Sequence, residues 1–182
     1  VLGAITTIAN TANYTVQSAL IARNTSENLS VTGIGDTELT AAWVRHENRL
    51  KVAAGVSLFV PTGAYDKTRG PNPGFGNFYT LRPGVALTYS LNPNHSDTNW
   101  DSGVTVAGRL SYGINSSNLE TDYRSGDFVY TEAALAKVTG NWAFGANLLA
   151  IQQVTDDSGS GATSGGNRYK NYGFGPFLSY KL

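Results

Sequence analysis

Residues Gly103 to Asn115 read GVTVAGRLSYGIN, and their alternation decides the fold. Val104, Val106, Leu110, Tyr112 and Ile114 fall on one face, while Thr105, Ala107, Arg109, Ser111, Gly113 and Asn115 fall on the other. A repeat of two belongs to an extended strand with one apolar side, and no helical spacing competes with it here.

The same pattern extends in both directions. Leu50, Val52, Ala54, Val56, Leu58 and Val60 alternate with Lys51, Ala53, Gly55 and Ser57, and Leu81, Val85, Leu87 and Tyr89 alternate with Arg82, Gly84, Ala86 and Thr88. Trp142, Phe144, Ala146 and Leu148 repeat it, as do Leu39, Ala41 and Trp43 and the run Tyr172, Phe174, Pro176, Leu178, Tyr180. Turn chemistry cuts the chain into eight expected strands, near 2–20, 35–45, 50–61, 77–91, 102–116, 127–138, 141–154 and 169–182. Connections around Glu47-Asn48 and Thr139-Gly140 are short. Those at Arg23 to Ile34, Thr62 to Gly76, Ser117 to Gly126 and Thr155 to Arg168 are long and rich in Gly, Ser, Asn and Asp.

Composition narrows the class. Of 182 residues, 41% are hydrophobic and only 14% charged, against about 25% charged in an ordinary soluble domain. Either the outer surface faces something other than water or a partner covers it. The chain has no cysteine, which excludes a disulfide framework and a thiolate metal site, and 13 basic residues balance 13 acidic ones with no basic run, which argues against nucleic acid. Apolar runs of a few residues are far short of the roughly 20 a membrane helix needs. Alternating strands, short turns at one end, long loops at the other and an apolar outward face together describe an all-β, antiparallel up-and-down transmembrane β-barrel, whose closure satisfies every backbone polar group in hydrocarbon. The whole of 1–182 reads as one such domain.

Aromatic residues are expected at the membrane interfaces. Trp43, Tyr89, Trp100, Trp142 and Tyr180 lie towards the short-turn end, and Phe78, Tyr79, Tyr112, Phe128, Tyr130 and Tyr172 towards the long-loop end, as a second girdle. A soluble β-sandwich would also alternate, but the shortage of charge speaks against it. With the apolar faces outward, the strand charges Glu38, Lys51, Arg82, Arg109 and Glu132 point inward. Two readings compete for them: an ion-pair network bracing a narrow lumen, or a polar constriction in which Arg82 and Arg109 select solutes.

Tyr65, Asp66, Arg69, Phe75, Tyr123, Arg124, Asp156 and Asp157 are candidates for a solute or partner site on the long loops. Asp156-Asp157-Ser158-Gly159 offers oxygen ligands but lacks the spacing of a calcium loop, so no metal is assigned. His95-Ser96-Asp97 has the residue types of a hydrolase triad, yet neighbours in one turn do not supply its geometry. No catalytic residue and no cofactor are expected, because no phosphate loop or nucleophile arrangement occurs.

Several motifs carry a resemblance: Gly33-Ile34-Gly35-Asp36, Pro61-Thr62-Gly63-Ala64-Tyr65-Asp66, Asn77-Phe78-Tyr79, Thr121-Asp122-Tyr123-Arg124-Ser125-Gly126, Gln153-Val154-Thr155-Asp156-Asp157-Ser158-Gly159 and Gly175-Pro176. In this order, from about residue 33 to 182, the chain resembles the bacterial outer-membrane family linked to the meta-pathway of phenol degradation. The resemblance implies location in the outer membrane of a Gram-negative cell, with the lipid bilayer as a partner. It also implies uptake or binding of small hydrophobic or aromatic solutes, and members with extra N-terminal strands, so that these strands form a barrel of eight or part of one of about twelve. An interaction barrel, whose loops bind an envelope protein or another copy without transport, is the alternative.

Overall fold

The structure, a computed structural model, describes residues 32–68, 72–92, 102–162 and 166–180. It is all-β, and no helix among these residues is long and apolar enough to cross a membrane. Seven strands form one sheet in chain order: β1 (Thr37–Glu47), β2 (Leu50–Val60), β3 (Thr80–Ser90), β4 (Ser102–Asn115), β5 (Phe128–Thr139), β6 (Trp142–Gln153) and β7 (Lys170–Tyr180). Each neighbouring pair is antiparallel. The sheet is up-and-down throughout, with β1 and β7 as its edges. The expected strand at 2–20 lies outside the described residues.

The turns follow from local chemistry. Asn48, at φ +47°, and Gly140, at φ +55°, adopt the left-handed conformation that a two-residue hairpin loop requires. That twist lets β1 continue to Glu47, two residues past its expected end. Conversely, β3 starts at Thr80 instead of residue 77, because Asn77 is left-handed at φ +55° and turns Phe78 into the loops. Pro83 leaves a gap in the β3–β4 register at Arg82 and Pro83, while the other sheet proline, Pro176, stands on the edge strand β7, where its missing N–H costs least.

Register separates two faces. Across β3 and β4, Val85 opposes Leu110 on one face and Ala86 opposes Arg109 on the other; across β4 and β5, Ser111 opposes Tyr130 and Arg109 opposes Glu132. The first face is apolar and open: Leu39, Val85, Leu110, Leu135, Phe144 and Phe174 are all exposed. Its charges, Arg45, Glu47, Lys137 and Lys170, lie only near strand ends. The second face carries every one of Glu38, Lys51, Arg82, Arg109 and Glu132. Phe128, Tyr130 and Ile151 pack there as the small buried core, with Leu149 and Tyr169 against them.

Candidate functional site

The inner face owes its chemistry to the long-loop half of the sheet. Arg82, only 4% exposed, donates from Nη2 to Glu38 Oε1 at 3.0 Å. Its guanidinium lies 4.5 Å from the Phe59 ring centroid and 5.2 Å from that of Tyr130, so aromatic faces replace much of the water a buried cation would lose. Arg109 lies 5.6 Å from the same Tyr130 ring. Towards the short turns, Gly84, Ala86, Ala107, Ala134 and Gly145 make the same wall small-sided.

Above the strands, loops from distant parts of the chain interlock in two pairs. Asp36 accepts N–H bonds from Gly63 at 2.9 Å and Phe75 at 2.8 Å, fastening the segment before β1 to the loop after β2. A Cβ on Gly63 would stand 2.6 Å from the Gly74 backbone, so close approach of two chains requires glycine there. Asp66 serves this loop internally: its Oδ1 accepts the Thr68 N–H at 2.9 Å, and its own N–H donates to Asn72.

The second pair joins residues 118–127 to residues 153–159. Arg124 and Ser158 exchange backbone hydrogen bonds at 2.8 and 2.9 Å. Asp157, buried beneath them, accepts from Gly126 N–H at 2.9 Å, Gln153 Nε2 at 2.7 Å and the Tyr123 hydroxyl. Burial pushes the Asp157 carboxyl up, but these bonds, with one from Ser125, outweigh it and hold the group below its usual range. Burial and the Asp157 carboxylate push the Tyr123 phenol up to about 12. Arg124 completes the fastening through Nε to Asn115 O at 2.7 Å and Nη2 to Asp127 at 2.8 Å.

Asn118 joins the two pairs. Its Nδ2 donates to Gly76 O at 2.6 Å and to the Tyr65 hydroxyl at 3.0 Å, while its Oδ1 accepts the Glu120 and Thr121 N–H groups. Where the pairs meet, a cavity of about 310 Å³ is lined by Tyr65, Phe75, Gly76, Phe78, Asn118, Thr121, Tyr123 and Ser125. Phe75 and Phe78 meet edge to face with centroids 5.5 Å apart. Apolar ring walls with a few converging polar groups are the usual makings of a small-molecule site.

Three of the expected loop residues, Tyr65, Phe75 and Tyr123, therefore line one cavity. Asp66, Arg124 and Asp157 shape loops instead, and Asp156 pairs with Arg168 at 2.6 Å on the exposed surface. Arg69 and Trp100 lie outside the described residues, as does His95-Ser96-Asp97. Trp43, Trp142 and Tyr180 stand exposed on the apolar face near the short turns, with the last two rings 4.7 Å apart, and Tyr89 lies on that face against Arg49. Of the second girdle only Tyr79, Tyr112 and Tyr172 are exposed. Phe78, Phe128 and Tyr130 are buried, the last two because they share the parity of Glu132 and so face inward. Sequence reasoning passed over Asp36 and Asn118 as site residues, although an Asp after Gly35 and an Asn after the Ser116-Ser117 pair are the usual signal of side chains that organise loop backbone.

An up-and-down antiparallel sheet with one bare apolar face, one charged face and an aromatic cavity among interlocked loops defines an all-β chain whose architecture is compatible with a β-barrel wall. The chain belongs to the family described as "Putative MetA-pathway of phenol degradation", whose model matches residues 2–182. That match extends the resemblance from residue 33 almost to the N-terminus. No curated protein and no solved structure is matched at a significant level.

Proposed function

We propose that this protein is a bacterial outer-membrane β-barrel that passes or binds small hydrophobic or aromatic solutes. The observation that carries the reading is the division of the sheet into an exposed, charge-free apolar band and an inner face holding all the mid-strand charges. Strands of 11 to 14 residues match the roughly 9–11 that a tilted strand needs to cross hydrocarbon, and water would disfavour such a band. Solute handling is supported by the aromatic cavity at the loop end and by the phenol-degradation description of the family.

The Arg82–Glu38 pair favours a second reading, a braced and sealed barrel whose loops engage a protein. Recovery from detergent-solubilised outer membrane with heat-modifiable gel migration is expected on either reading; a monodisperse soluble monomer without detergent refutes both. Liposomes holding the protein are expected to take up toluene faster than empty ones, and Phe75→Ala with Tyr123→Ala to slow that uptake. Equal rates with and without protein would leave the sealed barrel.

A further inference from the structure

The inner wall holds a set of hydrogen-bond donors without acceptors. Ser111 and Tyr130 oppose one another across β4 and β5 and are 3% and 1% exposed, yet the Ser111 Oγ and Tyr130 Oη find no hydrogen-bond partner. Glu132 acts on Tyr130 Oη both through its charge and through hydrogen bonding, but the contact falls short of ordinary hydrogen-bond geometry and leaves the hydroxyl open to a better-placed acceptor. Arg109, two residues from Ser111 on the same face, presents its guanidinium beside the Tyr130 ring. Unlike Arg82, it closes no ion pair or hydrogen bond among the described residues. A buried donor left unmet bears its full desolvation cost, so two on one patch of wall, beside the half-buried Arg109 guanidinium, mark a place where an acceptor belongs.

We propose that Arg109, Ser111 and Tyr130 form a binding position for a small organic monocarboxylate on the inner wall, an assignment that rests on reading this face as a barrel interior. A carboxylate has two acceptor oxygens in one plane, matching the parallel N–H pair of a guanidinium and leaving lone pairs for two hydroxyls. A monoanion suits a wall that already holds Glu38 and Glu132; a dianion would meet more repulsion. Towards the short turns the side chains beside the position are small, with Gly84, Ala86, Ala107 and Ala134 next to it in register. Gly84 also makes room for the serine hydroxyl, since a Cβ there would stand 2.9 Å from Ser111 Oγ.

Calorimetric titration of the full chain in detergent micelles tests the site, with benzoate as probe, benzyl alcohol as its neutral counterpart and inorganic phosphate as a competing anion. Saturable benzoate binding is expected, weakened at least about tenfold by Arg109→Gln and roughly three- to tenfold by Tyr130→Phe or Ser111→Ala, as loss of charged and neutral hydrogen bonds implies. Benzyl alcohol is expected to bind far more weakly, and phosphate not to displace benzoate. Absent benzoate binding, equal binding of benzyl alcohol, or displacement by equimolar phosphate overturns the proposal. If Arg109→Gln does not fold, the two hydroxyl variants decide, and unchanged affinity in both overturns it. Heat-modifiable migration of the same samples tests the barrel separately, so a shifted band without benzoate binding defeats only the carboxylate site.

Discussion

Arg82 reaches over strand β2 to Glu38, so that an ion pair ties β1 to β3 on the inner face. Both side chains are largely buried, which makes the pair costly to break from one side. Glu38→Gln is expected to lower stability by about 3–5 kcal/mol, because a buried cation loses its ion-pair carboxylate, whereas Glu38→Leu combined with Arg82→Met is expected to cost much less. Urea unfolding in detergent micelles measures both. Similar losses in the single and the double variant would contradict a pairing role.

Leu110 opposes Val85 at mid-strand on the apolar face. Leu110→Arg is expected to disfavour folding into liposomes by about 2–4 kcal/mol, as a lipid-facing charge near the midplane does. Ala107→Ser, on the inner wall of the same strand, is expected to change stability by less than about 0.5 kcal/mol. If the two variants insert alike, this face does not meet lipid.

The Tyr123–Asp157 contact ties loop order to pH. Asp157 is held below the ordinary carboxylate value, so its contribution is complete above that value and is lost as pH falls through the lowered one. Tyr123 is raised to about 12, so its contribution is complete below the ordinary tyrosine value of about 10 and disappears as pH climbs towards 12. Amide exchange at Gly126 and Ser158 should thus be slowest between these limits. In Asp157→Asn the acid-side loss should vanish, and persistence of that loss in the variant would place its origin elsewhere.

Two glycines separate loop fastening from strand geometry. A Cβ at Gly126 would lie 2.0 Å from Thr155 O, while one at Gly108 meets nothing closer than 3.8 Å. Gly126→Ala is expected to unlock the second loop pair and weaken solute binding in the cavity several-fold, leaving the sheet intact. Gly108→Ala should match the unsubstituted protein. Thermal gel-shift assays and toluene titration distinguish the two.

The strands could be read from the sequence because a two-residue repeat fixes sidedness residue by residue. Lys51, Arg82 and Arg109 fall inside for that reason alone. The same rule applied to Phe128 and Tyr130 places them beside Glu132, but their aromatic character suggested an interface role, and parity wins. The loops were a different matter. Asp36 finds Phe75 and Tyr123 finds Asp157 across more than thirty residues, and no local pattern encodes such a meeting. Nor does sequence distinguish Arg82 from Arg109: both are inward arginines, and only the placement of Glu38 commits one and leaves the other open.

The order of the seven strands has a consequence for closure. Counting from the looped rim, β1 and β7 both descend towards the tight turns, so the two edges point the same way. Edges of like polarity do not zip together as antiparallel neighbours. A barrel closed from this sheet with antiparallel neighbours throughout would need an odd number of further strands, giving an even total that both eight and twelve satisfy. Two copies with their loops on the same side would also fail to make a ring from these strands alone, because β7 of one would descend alongside β1 of the next. Arithmetic parity, rather than any single contact, thus dictates what can complete the wall.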